Sequence, residues 1–327
     1  MATAARTPAL VSGSDAATGS LSLKGEVWRQ LRRDRLASAG LVVLGVLLVT
    51  ALLGKLLTEW IVVFDPTLVR LPEKLLPPLS GARAELLPAG QLPAFGHYLL
   101  GTDDLGRDVF ARMFQGSFVS LSIGFVAVTI QLAIGVTLGG LAGFYGGARI
   151  GPFTVDGLIM RFTDVMLCFP TFFLILTVVA LLPPSIWNIM IVIGMTSWMG
   201  TCRFVRAELL SLREQDFVRA ARALGLTDAR IIFRHMVPNA IAPVLVSATI
   251  AVASAILTES ALSYLGFGVQ PPDASWGNIL ADGRTFLFDA PWLFAIPGAA
   301  ILIVVLAFNL EGEGLRDALN PRLRRGA

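Results

Sequence analysis

Charged residues, cysteine and histidine are all scarce in this chain of 327 residues. Only 15% of the residues are charged, whereas an ordinary soluble domain carries about 25%. The two cysteines, Cys168 and Cys202, are single residues without a C-x-x-C spacing, and the chain has only two histidines. We therefore expect neither a disulfide framework nor a metal site in this chain.

Motifs for nucleotide chemistry are missing as well. A phosphate-binding loop of the type G-x-x-x-x-G-K-[ST] needs a Gly-Lys pair, and the one such pair, Gly54-Lys55, is followed by Leu56 within an apolar block. The sequence thus excludes ATP hydrolysis by this chain. A net charge of +3 could suit nucleic acid, but the basic residues concentrate in the tails and one loop, where they more typically set membrane topology. We expect no nucleic-acid partner.

Apolar residues are abundant instead, at 55% of the chain with a mean hydropathy of +0.72. They are gathered into long blocks, several of them near the 20 residues with which a helix crosses a bilayer. Soluble helices alternate apolar and polar faces, so uninterrupted blocks indicate a membrane protein. The blocks predict an all-α multi-pass protein with six spanning helices: Leu36 to Leu57, Phe118 to Tyr145, Val165 to Leu182, Ile186 to Cys202, Ile241 to Leu262 and Trp292 to Leu310.

Basic residues beside the blocks predict the orientation. They concentrate in four segments: Lys24 to Arg35, Arg149 to Arg161, Arg203 to Arg234 and Arg316 to Arg325. Since Lys and Arg mark the cytoplasmic side, we expect both termini and the loop before the fifth span in the cytoplasm. The predicted spans place the chain in the lipid bilayer and define four regions. These are a disordered cytoplasmic N-terminal tail with an amphipathic lead-in (1–35), a first span with an external segment (36–115), a main membrane domain (116–310) and a cytoplasmic C-terminal tail (311–327).

Two patterns concern the second span and the segment before it. The run from Asp108 to Gln115, in the external segment, has an apolar and a polar side, which is typical of a helix lying on the membrane surface. The alternative is an ordinary loop helix packed on the membrane domain. Four glycines at steps of four residues share one face of the span itself: Gly135, Gly139, Gly143 and Gly147. Such a face favours close helix packing. We expect it to need a partner protein against it.

The cytoplasmic loop from Asp216 to Asn239 predicts two short helices that meet at a glycine. Its Ala-rich first part favours helix. Gly225 is placed to end that helix in the left-handed conformation, and Thr227 can cap a second helix with Asp228 in its first turn. Basic residues lie on one face and apolar residues on the other, namely Phe217, Leu224, Ile231 and Phe233. This elbow suits a cleft on a cytoplasmic partner; the alternative is a plain helical loop.

The same loop resembles the EAA loop of ABC importer permeases, whose pattern is Glu-Ala-Ala, three residues, Gly, nine residues and Ile-x-Leu-Pro. The pattern is matched at Ala220, Ala221, Gly225 and Pro238. It departs at Arg219, which replaces the Glu, and at His235, which replaces the Ile. The resemblance implies that these residues, together with Thr227 and Asp228, couple the chain to an ATPase.

Further segments resemble the C-type permease of dipeptide and oligopeptide importers. They lie at 100–109, 156–164, 263–277 and 314–321. The first contains a motif on the external side: Gly101, Thr102, Asp103, Gly106, Arg107 and Asp108. Each match alone is weak, but four in this order are specific. The resemblance covers roughly residues 26 to 325.

This resemblance implies the type I ABC importer permease fold, with 116–310 as its permease domain, in the cell inner membrane. It further implies a heterodimer with a homologous second permease chain, two cytoplasmic ABC ATPase subunits that bind ATP and Mg, and a periplasmic solute-binding protein that delivers peptide. No cofactor is expected in this chain. Relatives with similar motifs carry nickel chelates or glutathione, so these substrates stay open. An ion-coupled secondary carrier is the rival from another class, but it usually shows an internal repeat, which the sequence lacks.

Three polar residues are candidates for lining the pathway or forming a gate. Glu259 lies near the outer end of the fifth span, where a carboxylate is costly unless it faces protein or water. The alternative is a structural hydrogen bond that anchors the following loop. Arg161 and Asp164 lie at the cytoplasmic mouth of the third span, where local ion pairing is the alternative to a gate. Pro170 is expected to kink that span.

Overall fold

The computed structural model describes residues 31–32, 34–60, 64–83, 85, 87, 92–93 and 95–319. Most of the expected N-terminal tail and the end of the expected C-terminal tail lie outside the described residues. The described chain is mostly helical. Its α-helices are α1 Arg35–Trp60, α2 Val109–Phe144, α3 Val155–Leu167, α4 Thr171–Leu181, α5 Ile186–Thr196, α6 Trp198–Arg213, α7 Asp216–Ala223, α8 Asp228–Ile231, α9 Val237–Tyr264, α10 Trp276–Gly283 and α11 Trp292–Leu319.

Short elements complete the fold. A π-helical segment, Ile232–Met236, joins α8 to α9 without a gap. Two 3₁₀ turns are Leu71–Glu73 and Arg284–Phe286. Two antiparallel two-stranded sheets pair β1 Ser80–Gly81 with β2 His97–Tyr98, and β3 Arg149–Ile150 with β4 Phe153–Thr154.

Within the described residues, four helices are long and apolar enough to cross a membrane: α1, α2, the continuous run Asp228–Tyr264, and α11. A fifth is reached if the bent pair α3 and α4 counts as one span. The bend is 79° and falls at residues 168–170, so the predicted kink at Pro170 is confirmed. The fourth apolar block is interrupted at Ser197, where α5 ends and α6 begins.

The expected surface helix from Asp108 to Gln115 is wrong as a separate element. Residues 109–144 form one helix of 36 residues. It begins at Val109, because Asp108 caps its first turn by accepting a hydrogen bond from the Phe110 amide at 2.8 Å. No residue between 109 and 118 breaks the helix. The polar side of the run does not face water either, since Arg112 is buried in ion pairs.

The glycine face of α2 is packed closely, as predicted, but against a helix of the same chain. A side chain at Gly135, Gly139 or Gly143 would collide with α6, whereas Gly147 has open space around it. The expectation that this face needs a partner protein is therefore wrong for three of the four glycines. Helices α1, α5, α6 and α9 all pack on α2, which places it at the centre of the domain.

Candidate functional site

The loop between α6 and α9 is a helical elbow built around Gly225. Its φ of +76° lies in the left-handed region, as the sequence predicts. The Gly225 amide donates to the carbonyl of Arg222 at 2.9 Å, and the Leu226 amide donates to that of Ala221 at 3.2 Å. These two bonds form a Schellman motif, which ends α7 and satisfies its last carbonyls.

The inner side of the elbow is fixed to the membrane domain. Val218, Ala221 and Ile231 are buried in a cluster with Phe144 of α2 and Leu209 of α6. The outer side is apolar and exposed: Leu224 is 79% exposed, Phe233 74% and Phe217 41%. Of the four predicted apolar residues, Ile231 thus belongs to the inner side and the other three to the outer side. Because the π-helical segment continues into α9, the elbow is continuous with a helix that is long and apolar enough to cross a membrane.

Polar residues of the predicted coupling loop lie around this elbow. Thr227 stands at the N-cap of α8, but its side chain makes no capping bond; its carbonyl accepts from the Ile231 amide at 3.0 Å. Arg219 donates to Glu214 at 2.8 Å, and this bond lowers the pKa of the Glu214 carboxyl. The four other predicted residues lie in successive elements of this segment: Ala220 in α7, Asp228 in the first turn of α8, His235 in the π-helical segment and Pro238 in the first turn of α9.

Ion pairs hold α3 against α6 on this side of the domain. Asp156 accepts two hydrogen bonds from Arg206, one of them at 2.6 Å. Asp164 pairs with Arg203 of α6 rather than with its near neighbour Arg161. For Asp164 this geometry matches the alternative of local ion pairing. A gating role for Arg161 and Asp164 stays a prediction.

Glu259 is fully buried in a cage of serine hydroxyls near the C-terminal end of α9. Ser263 donates to its carboxylate at 2.7 Å, Ser275 at 2.8 Å and Ser120 at 3.4 Å. Ser275 also caps α10, so the carboxylate ties α9 to α2 and to the start of α10. This geometry matches the structural alternative, and a pathway role for Glu259 stays a prediction. The sequence alone could not reveal the cage, because Ser120 is 139 residues away.

The motif at residues 101–108, which the sequence predicts to be external, forms a buried charge cluster. Asp103 is fully buried and accepts hydrogen bonds from Arg107 Nε and Arg112 Nη1, each at 2.6 Å. It also accepts from the amides of Leu105 at 2.9 Å and of Arg107 at 2.8 Å. Arg112 also donates a hydrogen bond from Nη2 to Asp282 of α10 at 3.1 Å, so the cluster connects the start of α2 to α10. Arg112 and Asp282 lie outside the predicted motif, and only the fold brings them to it.

Glycines and buried polar groups shape the loop around this cluster. Gly101 and Gly106 have φ values of +80° and +73°, and a side chain at Gly106 would collide with the carbonyl of Arg70. Thr102 donates to the carbonyl of Glu73 at 2.5 Å and accepts from the Leu76 amide at 2.8 Å.

Burial raises the pKa of several groups in the segment that precedes α2. It raises the pKa of Asp108, the N-cap of α2, and that of Asp104. The pKa of Tyr98 is raised too, first by burial and then by its hydrogen bond to Glu73. The segment is therefore a packed, hydrogen-bonded part of the protein rather than an open loop.

Two protein families match this chain, one near its N-terminus and one over its C-terminal part. Residues 135–325 match the family described as "Binding-protein-dependent transport system inner membrane component". Residues 22–78 match the family described as "N-terminal TM domain of oligopeptide transport permease C". The helical elbow around Gly225 lies inside the first match.

Individual relatives match over nearly the whole chain. The dipeptide transport system permease protein DppC of Alkalihalophilus pseudofirmus is 40% identical over 301 residues, covering 91% of this chain and 90% of the relative. The oligopeptide transport system permease protein OppC of Bacillus subtilis is 35% identical over 321 residues, covering 97% of both. The di/tripeptide transport system permease protein DppC of Pseudomonas aeruginosa is 39% identical over 302 residues, covering 92% of this chain and 93% of the relative.

Proposed function

Because the chain belongs to the family of binding-protein-dependent transport system inner membrane components, we propose that it is the C-type permease subunit of an ABC importer for dipeptides and oligopeptides. The observation that carries the proposal is the similarity to dipeptide and oligopeptide permeases over at least nine-tenths of the chain. The chain is a multi-pass inner-membrane protein, and it translocates peptide rather than reacting with it.

Energy for transport comes, in this proposal, from two partner ATPase subunits that bind ATP and Mg. The exposed side of the elbow, Leu224 and Phe233 with Phe217, offers an apolar surface to a cleft on such a subunit. The elbow continues through the π-helical segment into α9, so movement of the cleft is passed to a membrane-spanning helix. A homologous second permease completes the heterodimer, and a periplasmic solute-binding protein delivers the peptide.

We further propose six spans in the type I importer permease fold, with both termini in the cytoplasm. In this arrangement α3 with α4 forms the third span and α5 with α6 the fourth. The concentration of Arg in the 203–234 segment supports the elbow side as cytoplasmic. In a Cys168→Ser background, an impermeant maleimide added to intact cells should label Asp289→Cys but not Thr227→Cys. Labelling of both positions in intact cells would refute this topology.

The choice of substrate is tested by competition. Proteoliposomes holding the complete complex and its binding protein should take up labelled Ala-Ala, and unlabelled dipeptides in excess should abolish this uptake. Nickel chelates and glutathione are the alternatives that related systems suggest. Failure of Ala-Ala to enter, with entry of one of these two instead, would replace peptide as the substrate class.

A further inference from the structure

A cavity of about 760 Å³ lies between α6, α9 and α11 on the side that we assign to the cytoplasm. Residues of α9 at helical spacing line one side of it, among them Pro243, Val246 and Ile250, and Phe204 of α6 lines another. This size is typical of sites for small molecules, which are mostly apolar with a few polar groups. The cavity therefore has the volume and the apolar walls of a ligand site.

Its charged groups come from two helices. Glu208 extends from α6, and Glu313 and Arg316 lie three residues apart on one face of α11. Across the part of the chain that the structure describes, none of these three is in an ion pair or a side-chain hydrogen bond. The contrast with Arg206 is informative, since that residue lies two positions before Glu208 on the same helix and is paired with Asp156. The cavity thus holds ionic groups of both signs that no other described residue engages.

We propose that this cavity binds a peptide through its two free ends as it leaves for the cytoplasm. Glu208 and Glu313 receive the N-terminal ammonium, and Arg316 receives the C-terminal carboxylate. Hydrogen bonds between two ionised groups are the strong ones, and a guanidinium matches the two oxygens of a carboxylate. The amides of Asn239 and Asn309 line the same space and can bond the peptide backbone.

The size of the cavity and the chemistry of its wall agree with this ligand. An extended dipeptide is about 7 Å long, which a cavity of this volume accommodates with room for side chains. The peptide's side chains would contact the apolar side chains of α9, which form no hydrogen bonds and so do not select one peptide side chain over another by its polar groups. The site is therefore selective for charged ends and tolerant of sequence.

Other ligands fit the charges less well. Two carboxylates beside one guanidinium repel a phosphate or another purely anionic group. A metal ion needs several converging ligands, and within the described residues no three His, Cys, Asp or Glu side chains are placed to hold one. A zwitterion satisfies both signs at once.

Equilibrium dialysis of labelled Ala-Ala against the complete complex in nanodiscs, without the binding protein, tests this site. The wild type should bind saturably, and N-acetyl-Ala-Ala should bind about tenfold more weakly, since it lacks the ammonium. Glu313→Gln and Glu208→Gln should each weaken binding and reduce the discrimination against N-acetyl-Ala-Ala. The wild type should also bind Ala-Ala amide, which lacks the carboxylate, more weakly than Ala-Ala, and Arg316→Gln should remove this difference. Asp317→Asn, at an exposed residue of α11 that does not line the cavity, is the matched control and should bind normally.

Two outcomes would overturn the site: no saturable binding by the wild type, or binding by all three cavity variants that equals the wild type. The inference rests on the proposed function, and uptake separates the two. If the wild-type complex with its binding protein takes up Ala-Ala while the cavity variants bind it normally, only the site is wrong. If that complex takes up no peptide at all, the proposed function itself fails.

Discussion

Replacing Gly225 with valine is expected to reduce peptide uptake about tenfold or more, while the amount of chain in the membrane stays the same. An L-residue in the left-handed conformation costs about 1–2 kcal/mol, and a β-branched side chain costs the most. Space is not the obstacle, because no atom lies within 4 Å of an added Cβ. The strain is confined to the turn between α7 and α8, so it changes the angle of the elbow rather than the packing of the spans.

Gly225→Asn is the matched control, since asparagine adopts positive φ several-fold more readily than most residues. It should retain most of the uptake, with Gly225→Ala between it and valine. Uptake, stimulation of ATP hydrolysis by the loaded binding protein, and chain content of the membrane are the measurements. Unchanged uptake by Gly225→Val at equal expression would contradict the coupling role. Loss of the chain from the membrane would show that the elbow serves folding alone.

Replacing Asp103 with alanine is expected to destabilise the domain by about 3–5 kcal/mol, as is typical when one partner of a buried ion pair is removed. The change leaves Arg107 and Arg112 buried, with side chains 9% and 3% exposed, and without their main carboxylate. It also removes the acceptor for two backbone amides of the loop that precedes α2. The thermal midpoint of the purified complex should fall by several degrees.

Asp104→Ala is the control within the same motif. The Asp104 carboxylate is 38% exposed and lies 3.9 Å from Arg107, so its removal should cost under about 1 kcal/mol. Asp103→Asn should fall between the two, because it keeps an acceptor for the amides but loses the charge. Equal thermal midpoints for the Asp103 and Asp104 variants would contradict the assignment of Asp103 as the centre of the cluster.

The parts of the molecule that depend on local sequence could be predicted. Gly225 ends α7 as expected, because a left-handed cap is recognised from a glycine after an Ala-rich helix. The kink at Pro170 and the close packing of the glycine face follow in the same way. Each of these features is decided by a few adjacent or periodically spaced residues.

Features that depend on distant residues could not be predicted. The cage of Glu259 and the pairing of Arg112 with Asp282 join residues more than 100 positions apart, and no spacing rule connects them. The run from Asp108 to Gln115 misled for a related reason: its polar side suggested water, whereas the fold supplies a buried partner for Arg112. The spacing of polar residues predicts that one face of a helix is polar. It does not predict whether water or other residues of the protein contact that face.

Uptake of labelled dipeptide by the reconstituted complex tests the central claim most directly, namely that this chain is the permease of an ATP-driven importer. Proteoliposomes would carry this chain, its partner permease and the ATPase subunits, with nucleotide inside and the loaded binding protein outside. The account predicts uptake with ATP, none with ADP or without this chain, and no loss when ionophores collapse the ion gradients. Uptake by liposomes that lack the ATPase subunits, driven by an ion gradient, would contradict it and identify a secondary carrier.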